Sequence, residues 1–116
     1  MDKNFIQNWL KDHKFCVLAT SHKDKPWAAT VNYTIDDNLN IYIYSREDSL
    51  KFQNIQKNPI VCLVIDGQTD KGTLQIQGVA HPIQKRDDAN IIVKPAFLTF
   101  LKKEKSGKLI RKTLVP

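Results

Sequence analysis

Only two cysteines, three histidines and four glycines occur among the 116 residues, and each scarcity excludes a class of chemistry. Cys16 and Cys62 lie inside apolar, strand-like runs, and neither shares zinc-ligand spacing with the scattered His13, His22 and His81. No metal site is expected, and the two cysteines read as buried free thiols. No glycine-rich nucleotide loop, acid–base dyad or nucleophile paired with a base can be made out. No run approaches the roughly 20 apolar residues of a membrane span, so no membrane partner is expected. Residues 1–5 lack the charged-then-apolar layout of a signal peptide, which makes a cytoplasmic location the expectation. Repeats, low-complexity segments and linkers are also missing, so residues 1–116 read as a single domain.

Charge, by contrast, is plentiful and unevenly placed. The formal net charge is +6, and the last fifteen residues hold six basic side chains (Lys102, Lys103, Lys105, Lys108, Arg111 and Lys112) against Glu104, leaving +5 there. Such a tail can contact an anionic surface. Phe97 and Phe100 beside it read as helix core, without a stacking motif, and nucleic-acid binding is not expected.

Hydrophobic periodicity sets the order of elements. Asp2 can cap a helix running to about Lys14, with Phe5, Ile6, Trp9 and Leu10 on one stripe and Trp9 in the core. Residues 15–20 form a short apolar strand, and residues 21–26, ending in proline, form a hairpin connection. Residues 27–35 then alternate, with Trp27, Ala29, Val31, Tyr33 and Ile35 on one face. After a turn at Asp36-Asp37-Asn38, residues 39–44 continue the alternation, completing an antiparallel meander. A helix over residues 49–57 stops before Asn58-Pro59 because the residue preceding proline avoids helical angles. Residues 60–65 predict a fully buried strand, residues 66–72 a hairpin loop, and residues 73–83 a long strand. Gly78 within that strand predicts a bulge or a close backbone approach. Residues 84–103 read as amphipathic helix split at Pro95, and residues 109–115 as one last strand. Too few helices alternate with strands for a parallel sheet, and the economical fold class is all-β, a small antiparallel barrel with flanking helices.

The stretch from Tyr44 to Pro59 is the most suggestive locally. Ser45 and Ser49 precede a short helix with Lys51 in its first turn, where free N–H groups, helix dipole and ammonium all favour an anion. An N-capped surface helix, with Asp48 or Ser49 as cap, accounts for the same residues.

The ordered set of segments resembles the flavin-binding split barrels of the pyridoxamine 5'-phosphate oxidase-like superfamily. The matching pieces are Phe15-Cys16-Val17-Leu18-Ala19-Thr20, Lys25-Pro26-Trp27-Ala28-Ala29-Thr30-Val31-Asn32-Tyr33, Ile41-Tyr42-Ile43-Tyr44-Ser45, Ser49-Leu50-Lys51, Asn54-Ile55, Asn58-Pro59 and Gln77-Gly78-Val79-Ala80. The resemblance covers about residues 5–85 and implies a Greek-key split barrel of about six strands. It implies a homodimer holding FMN, or else a deazaflavin or haem, in a cleft between subunits. On this resemblance Lys51 is the phosphate-binding lysine, Ser45 and Ser49 supply phosphate hydroxyls, and Thr30, Val31 and Asn32 line the flavin ring. Two departures weigh against pyridoxamine phosphate oxidase activity itself: Ala29 and Leu50 stand where those oxidases carry basic residues. Lys108 and Arg111 are candidates to supply the missing phosphate charge, or are solvated surface.

Three readings follow: a small flavin-dependent oxidoreductase of unknown substrate, a non-catalytic flavin, deazaflavin or haem binder, and a basic-tailed interaction protein without cofactor. A flavin performs its own redox chemistry, so the missing acid–base groups do not separate the first two. Trp27 could stack near a cofactor or pack on the barrel end, Tyr42 and Tyr44 could line a dimer interface or be half-exposed, and His81 reads as surface.

Overall fold

Alternating apolar and polar residues bend this chain into a sheet that closes on itself. The computed structural model describes residues 2–67, 71–86 and 89–114. Its described elements are α1 (Lys3–Asp12), β1 (Phe15–His22), β2 (Lys25–Ile35), β3 (Ile41–Ile43), α2 (Leu50–Lys57), β4 (Ile60–Asp66), β5 (Thr73–Arg86), β6 (Ala89–Lys103) and β7 (Leu109–Leu114). The sheet runs β3-β2-β1-β4-β5-β6-β7, and a further pairing of β3 with β6 joins six of these strands into a closed barrel. Every strand pairing is antiparallel. Strand β6 serves twice, since residues 91–93 close the barrel against β3 and residues 98–103 carry β7 outside it.

The interior is filled by one face of each strand, including Leu18, Ile41, Ile43, Leu63, Ile76, Ile91 and Leu98, all fully buried. Burial of such side chains is the main stabilising term, roughly 1.5–3 kcal/mol each relative to exposure. Helix α1 adds Ile6 and Leu10 to this core, and Asp2 caps it by accepting from the Phe5 N–H at 2.9 Å. The buried Tyr33 hydroxyl donates to the Leu10 carbonyl at 2.6 Å, satisfying a carbonyl at the C-terminal end of α1 and tying that helix to β2. Lys23 and Asp24, with φ of 51° and 61°, make the two-residue turn between β1 and β2.

The described residues of the stretch 84–103, namely 84–86 and 89–103, are strand, not helix. Strand β5 continues to Arg86, and β6 starts at Ala89. The β-branched run Ile91-Ile92-Val93 and the alternation of Leu98 with Phe100 suit a pleated surface better than a helix face. Pro95 is tolerated because it pairs with Gly78 where the ladder shifts register, so the missing N–H falls at an irregularity. Phe100 is therefore buried on the barrel side, while Phe97 is exposed, and neither is helix core. Residues 60–65 also differ from the reading of a wholly buried strand. Val61, Leu63 and Ile65 face inward, whereas Ile60 is exposed and Cys62 and Val64 are half-buried. The third strand is shorter than residues 39–44, because Leu39 adopts φ 65° in the preceding turn. The hairpin loop of residues 66–72 is closed by the Gly67 N–H to the Gly72 carbonyl at 2.9 Å, and its residues 68–70 lie outside the described residues, as does Val115 of the last strand.

Gly78 meets both halves of its expectation: the register shifts between Gln77 and Gly78, and another backbone approaches closely. A Cβ there would stand 2.7 Å from the Lys94 carbonyl oxygen and 3.0 Å from Val93 Cγ1. Gly78→Ala is expected to destabilise the fold by about 1–3 kcal/mol, read as a lower urea midpoint at unchanged slope. An unchanged midpoint would mean that the two strands yield without cost.

Candidate functional site

The outward face of β2 carries Thr30, Asn32 and Thr34, all exposed, rather than the apolar residues that cover the neighbouring face of β1. It forms one wall of a cleft of about 1110 Å³, to which Thr30, Val31 and Asn32 contribute together with Tyr33 and Thr34. Tyr42, paired with Thr34, continues this outward face onto β3, Tyr44 follows two residues on, and Lys51 and Lys85 enter from α2 and the end of β5. Four of the six residues singled out in the sequence (Lys51, Thr30, Val31 and Asn32) thus meet in one cavity.

Ser45 and Ser49 are not among its lining residues. Ser49 caps α2, its Oγ accepting from the Phe52 N–H at 3.3 Å and donating to the Arg46 carbonyl at 2.7 Å. Ser45 is buried, with its Oγ 2.7 Å from Ser49 Oγ. The two hydroxyls close the loop that leads into α2, and that closure sets where Lys51 begins. The same loop is fixed from below by Asn90, whose Oδ1 accepts from the Ser45 N–H at 3.0 Å and whose Nδ2 donates to the Ser45 carbonyl at 2.6 Å. A side-chain amide here extends the β3–β6 ladder beyond Ile43. Helix α2 is pinned to β1 by Asn54 Nδ2, which donates to Thr20 Oγ1 at 3.1 Å between two buried side chains.

Charge in the cleft is polarised. The Lys85 ammonium lies 5.1 Å from the centroid of the Tyr44 ring, a cation–π geometry. The only ion pair among the described residues joins Arg46 and Asp48 on the surface, so neither Lys51 nor Lys85 is neutralised by a described carboxylate. Asp36 also lines the cleft, but it is saturated. Its carboxylate accepts from the Asn38 and Asn40 backbone N–H groups, from Asn40 Nδ2 and from the Tyr42 hydroxyl, at 2.9–3.0 Å. Burial pushes the Asp36 carboxyl up, yet the hydrogen bonds from Asn40, Tyr42 and Asn38 outweigh it and hold its pKa below the ordinary value. Asp36 is an anion with no lone pair to spare for a proton from substrate.

No nucleophile stands in for it. Burial pushes the Cys16 thiol up to about 12, which keeps it protonated and inert. The Tyr33 hydroxyl is pushed up as well, first by burial and then by Cys16. Cys62 is half-buried and shifted the same way by burial. Two lysines and three tyrosines line the cleft, and its described lining residues include no proton-transfer pair.

Lys85 and Asn90 escaped the sequence reading because both fell inside the segment taken as helix. The available signal was Asn90 itself, an amide between Ala89 and the apolar run Ile91-Ile92-Val93, a place where a buried polar group needs partners. Lys108 and Arg111, the other candidates for phosphate charge, are exposed on or beside β7 and do not line this cavity. Trp27 is exposed and also stands outside it.

The model of the family described as pyridoxamine 5'-phosphate oxidase matches residues 3–110. No curated protein matches the chain. Among solved structures, a pyridoxamine 5'-phosphate oxidase homologue from Listeria innocua superposes with a TM-score of 0.74 at 20% identity, covering 84% of this chain and 96% of that one. A haem-binding protein from Mycobacterium smegmatis superposes at TM-score 0.72 and 12% identity, over 97% of this chain and 58% of that one. A FAD-binding protein from Mesorhizobium loti gives TM-score 0.63 at 16% identity, over 75% of this chain and 65% of that one. At these identities the likeness is one of fold.

Proposed function

The chain belongs to the pyridoxamine 5'-phosphate oxidase family, and from that premise we propose that its cleft holds FMN for a small oxidoreductase. The observation that carries this reading is the pair of lysines, Lys51 and Lys85, without an ion-pair partner among the described residues, lining one cavity with Thr30 to Thr34, Tyr42 and Tyr44. The residues suit the group. The volume of about 1110 Å³ is slightly above the usual range of roughly 300–1,000 Å³ for ligand sites, room enough for a flavin, and a phosphate ester requires concentrated positive charge. Lys51 and Lys85 bind the phosphate, the β2 backbone from Thr30 to Asn32 lies along the ring, and Tyr44 holds the Lys85 ammonium in place. Ser45 and Ser49 act by shaping the loop before Lys51. A bound flavin accepts and returns a hydride, so the protein's share of the work is to bind, orient and exclude water.

The non-catalytic alternatives differ in fit. Haem asks for an axial ligand. His13, His22 and His81 do not line the cleft, and the Tyr42 hydroxyl is committed to Asp36, which favours a flavin. A deazaflavin has nearly the same ring shape and also transfers hydride, so turnover, not binding, separates storage from catalysis.

The cleft is also proposed to be completed by a second copy. The register places Phe15 opposite Asn32 and Val17 opposite both Thr30 and Val64. Directly paired residues share a face, so exposed Phe15 and Val17 border the polar wall of the cleft. Contiguous exposed apolar surface of this kind marks an interaction site. One experiment tests cofactor and assembly together: sedimentation of the purified protein with FMN, followed at the flavin absorbance. Flavin moving with a species of twice the chain mass is the expected result. Flavin left at the meniscus would overturn the cofactor reading, and flavin on a monomer would overturn the shared cleft.

A further inference from the structure

A second concave site lies at the other end of the β5–β6 ladder. The flavin cleft takes Lys85 and Ala89 from the end where Arg86 pairs with Ala89, whereas this groove of about 560 Å³ takes Lys71 and Phe100 from the end where Thr73 pairs with Leu101. Its body is aromatic. Phe100 meets Phe5 edge-on at 5.1 Å between centroids and Trp9 edge-on at 5.0 Å, and Phe5 stacks with Trp9 at 6.2 Å. Gly67 is what admits the indole, since a Cβ there would stand 2.4 Å from Trp9 Cη2. Phe5 remains exposed, and the Trp9 indole Nε1 is buried without a hydrogen-bond partner.

The rim is cationic, and the register explains why. Phe100 pairs with Lys112 and Lys102 with Ile110, so alternation along β6 and β7 brings both lysines onto the aromatic face. Lys71 joins them, and among the described residues no carboxylate lines the groove and none of the three lysines forms an ion pair. The basic C-terminal hairpin is thus not evenly solvated, because part of its charge is arranged around rings.

We propose that this groove binds a small aryl carboxylate, its ring against Phe5 and Trp9 and its carboxylate between Lys102 and Lys112. Three rings in mutual contact offer an aryl body the offset and edge-on partners that aromatic pairs prefer. A cationic rim with no carboxylate among its described residues selects a single anionic head over a neutral one. The volume suits a molecule of two or three rings. A single-stranded nucleic acid would need successive stacking platforms, and the groove has one cluster. A second copy seated by two-fold symmetry would set these lysines against themselves, at a cost in like-charge repulsion.

The test uses 2-naphthoate and its neutral isostere 2-naphthamide, followed by the indole N–H resonances of the full chain. Trp9 and Trp27 are the two tryptophans, and Trp27→Phe assigns their signals. Saturable movement of the Trp9 signal by 2-naphthoate is expected, with 2-naphthamide weaker by about tenfold. Lys102→Gln combined with Lys112→Gln should weaken 2-naphthoate by about tenfold or more and leave 2-naphthamide unchanged. Phe5→Ala should weaken both probes by roughly fivefold. FMN affinity should not respond to these variants, which separates this site from the flavin cleft. Equal affinity for the two probes, movement of Trp27 alone, or loss of FMN binding in the lysine variant would each overturn the proposal. A change in sedimenting mass with the lysine variant would assign the face to a second copy and overturn it as well.

Discussion

Asn90→Ala is expected to lower the unfolding free energy by about 2–6 kcal/mol. The Asn90 amide satisfies both the N–H and the carbonyl of Ser45, and both residues are buried. Truncation leaves two buried backbone groups unpaired, each costing about 1–3 kcal/mol, and neither can turn to solvent without opening the loop. The consequence reaches past stability. Ser45 holds Ser49, Ser49 caps α2, and α2 presents Lys51, so a loop released at Ser45 loosens the cation farthest along that chain of contacts. Urea unfolding of parent and variant measures the first effect, with Ile91→Val as a control expected to cost only about 0.5–1.5 kcal/mol. A loss no larger than that control would show that the loop relaxes to find other partners.

That same residue shows where the sequence was legible and where it was not. Period-two burial holds over Phe15 to Thr20 and Ala29 to Ile35, because each stretch has one face in the core and one in solvent. It fails at Lys25 to Ala28, where both faces of β2, Trp27 included, are exposed. Gly78 announced its bulge, and Pro59 its helix stop, because each residue has a backbone requirement that neighbours cannot override. The segment from Gln84 to Lys103 is ambiguous locally because short apolar runs such as Ile91-Ile92-Val93 do not by themselves choose between helix and strand. Only the ladder with β5 and β3 decides for strand. Long-range pairing is invisible in a local window. The same cause hid half of the candidate site: Lys51 was visible from its place beside a helix cap, whereas Lys85 reaches the cleft only because β5 runs on beyond Pro82. Ser45 and Ser49 were legible as hydroxyls near a helix start, but two chemistries, capping and anion binding, use the same residues.

Lys51→Ala combined with Lys85→Ala is expected to weaken FMN by roughly a hundredfold to ten-thousandfold, since a charge-assisted contact to phosphate is worth about 1.5–3 kcal/mol. Lys51→Ala alone should account for roughly tenfold to a hundredfold of this. The discriminating ligand is riboflavin, which has the ring without the phosphate. If the lysines act on the phosphate, riboflavin affinity should be nearly unchanged in all three variants, and the parent's preference for FMN should vanish in the double variant. Both ammoniums meeting one phosphate also predicts a coupling energy of about 0.5–3 kcal/mol in the double-mutant cycle, because each lysine changes the charge that the other feels. Salt gives an independent reading. Raising ionic strength should weaken FMN in the parent, much less so in the double variant, and hardly affect riboflavin in either. Lys85→Ala carries an internal control, since its ammonium packs on Tyr44 and that contact contributes only about 0.5–1 kcal/mol at an exposed site. A large loss of FMN without a matching loss of stability therefore points to the ligand and not to the ring. Equal weakening of FMN and riboflavin would mean that the lysines shape the cleft and leave the phosphate to other residues, and the assignment of Lys51 and Lys85 would fall.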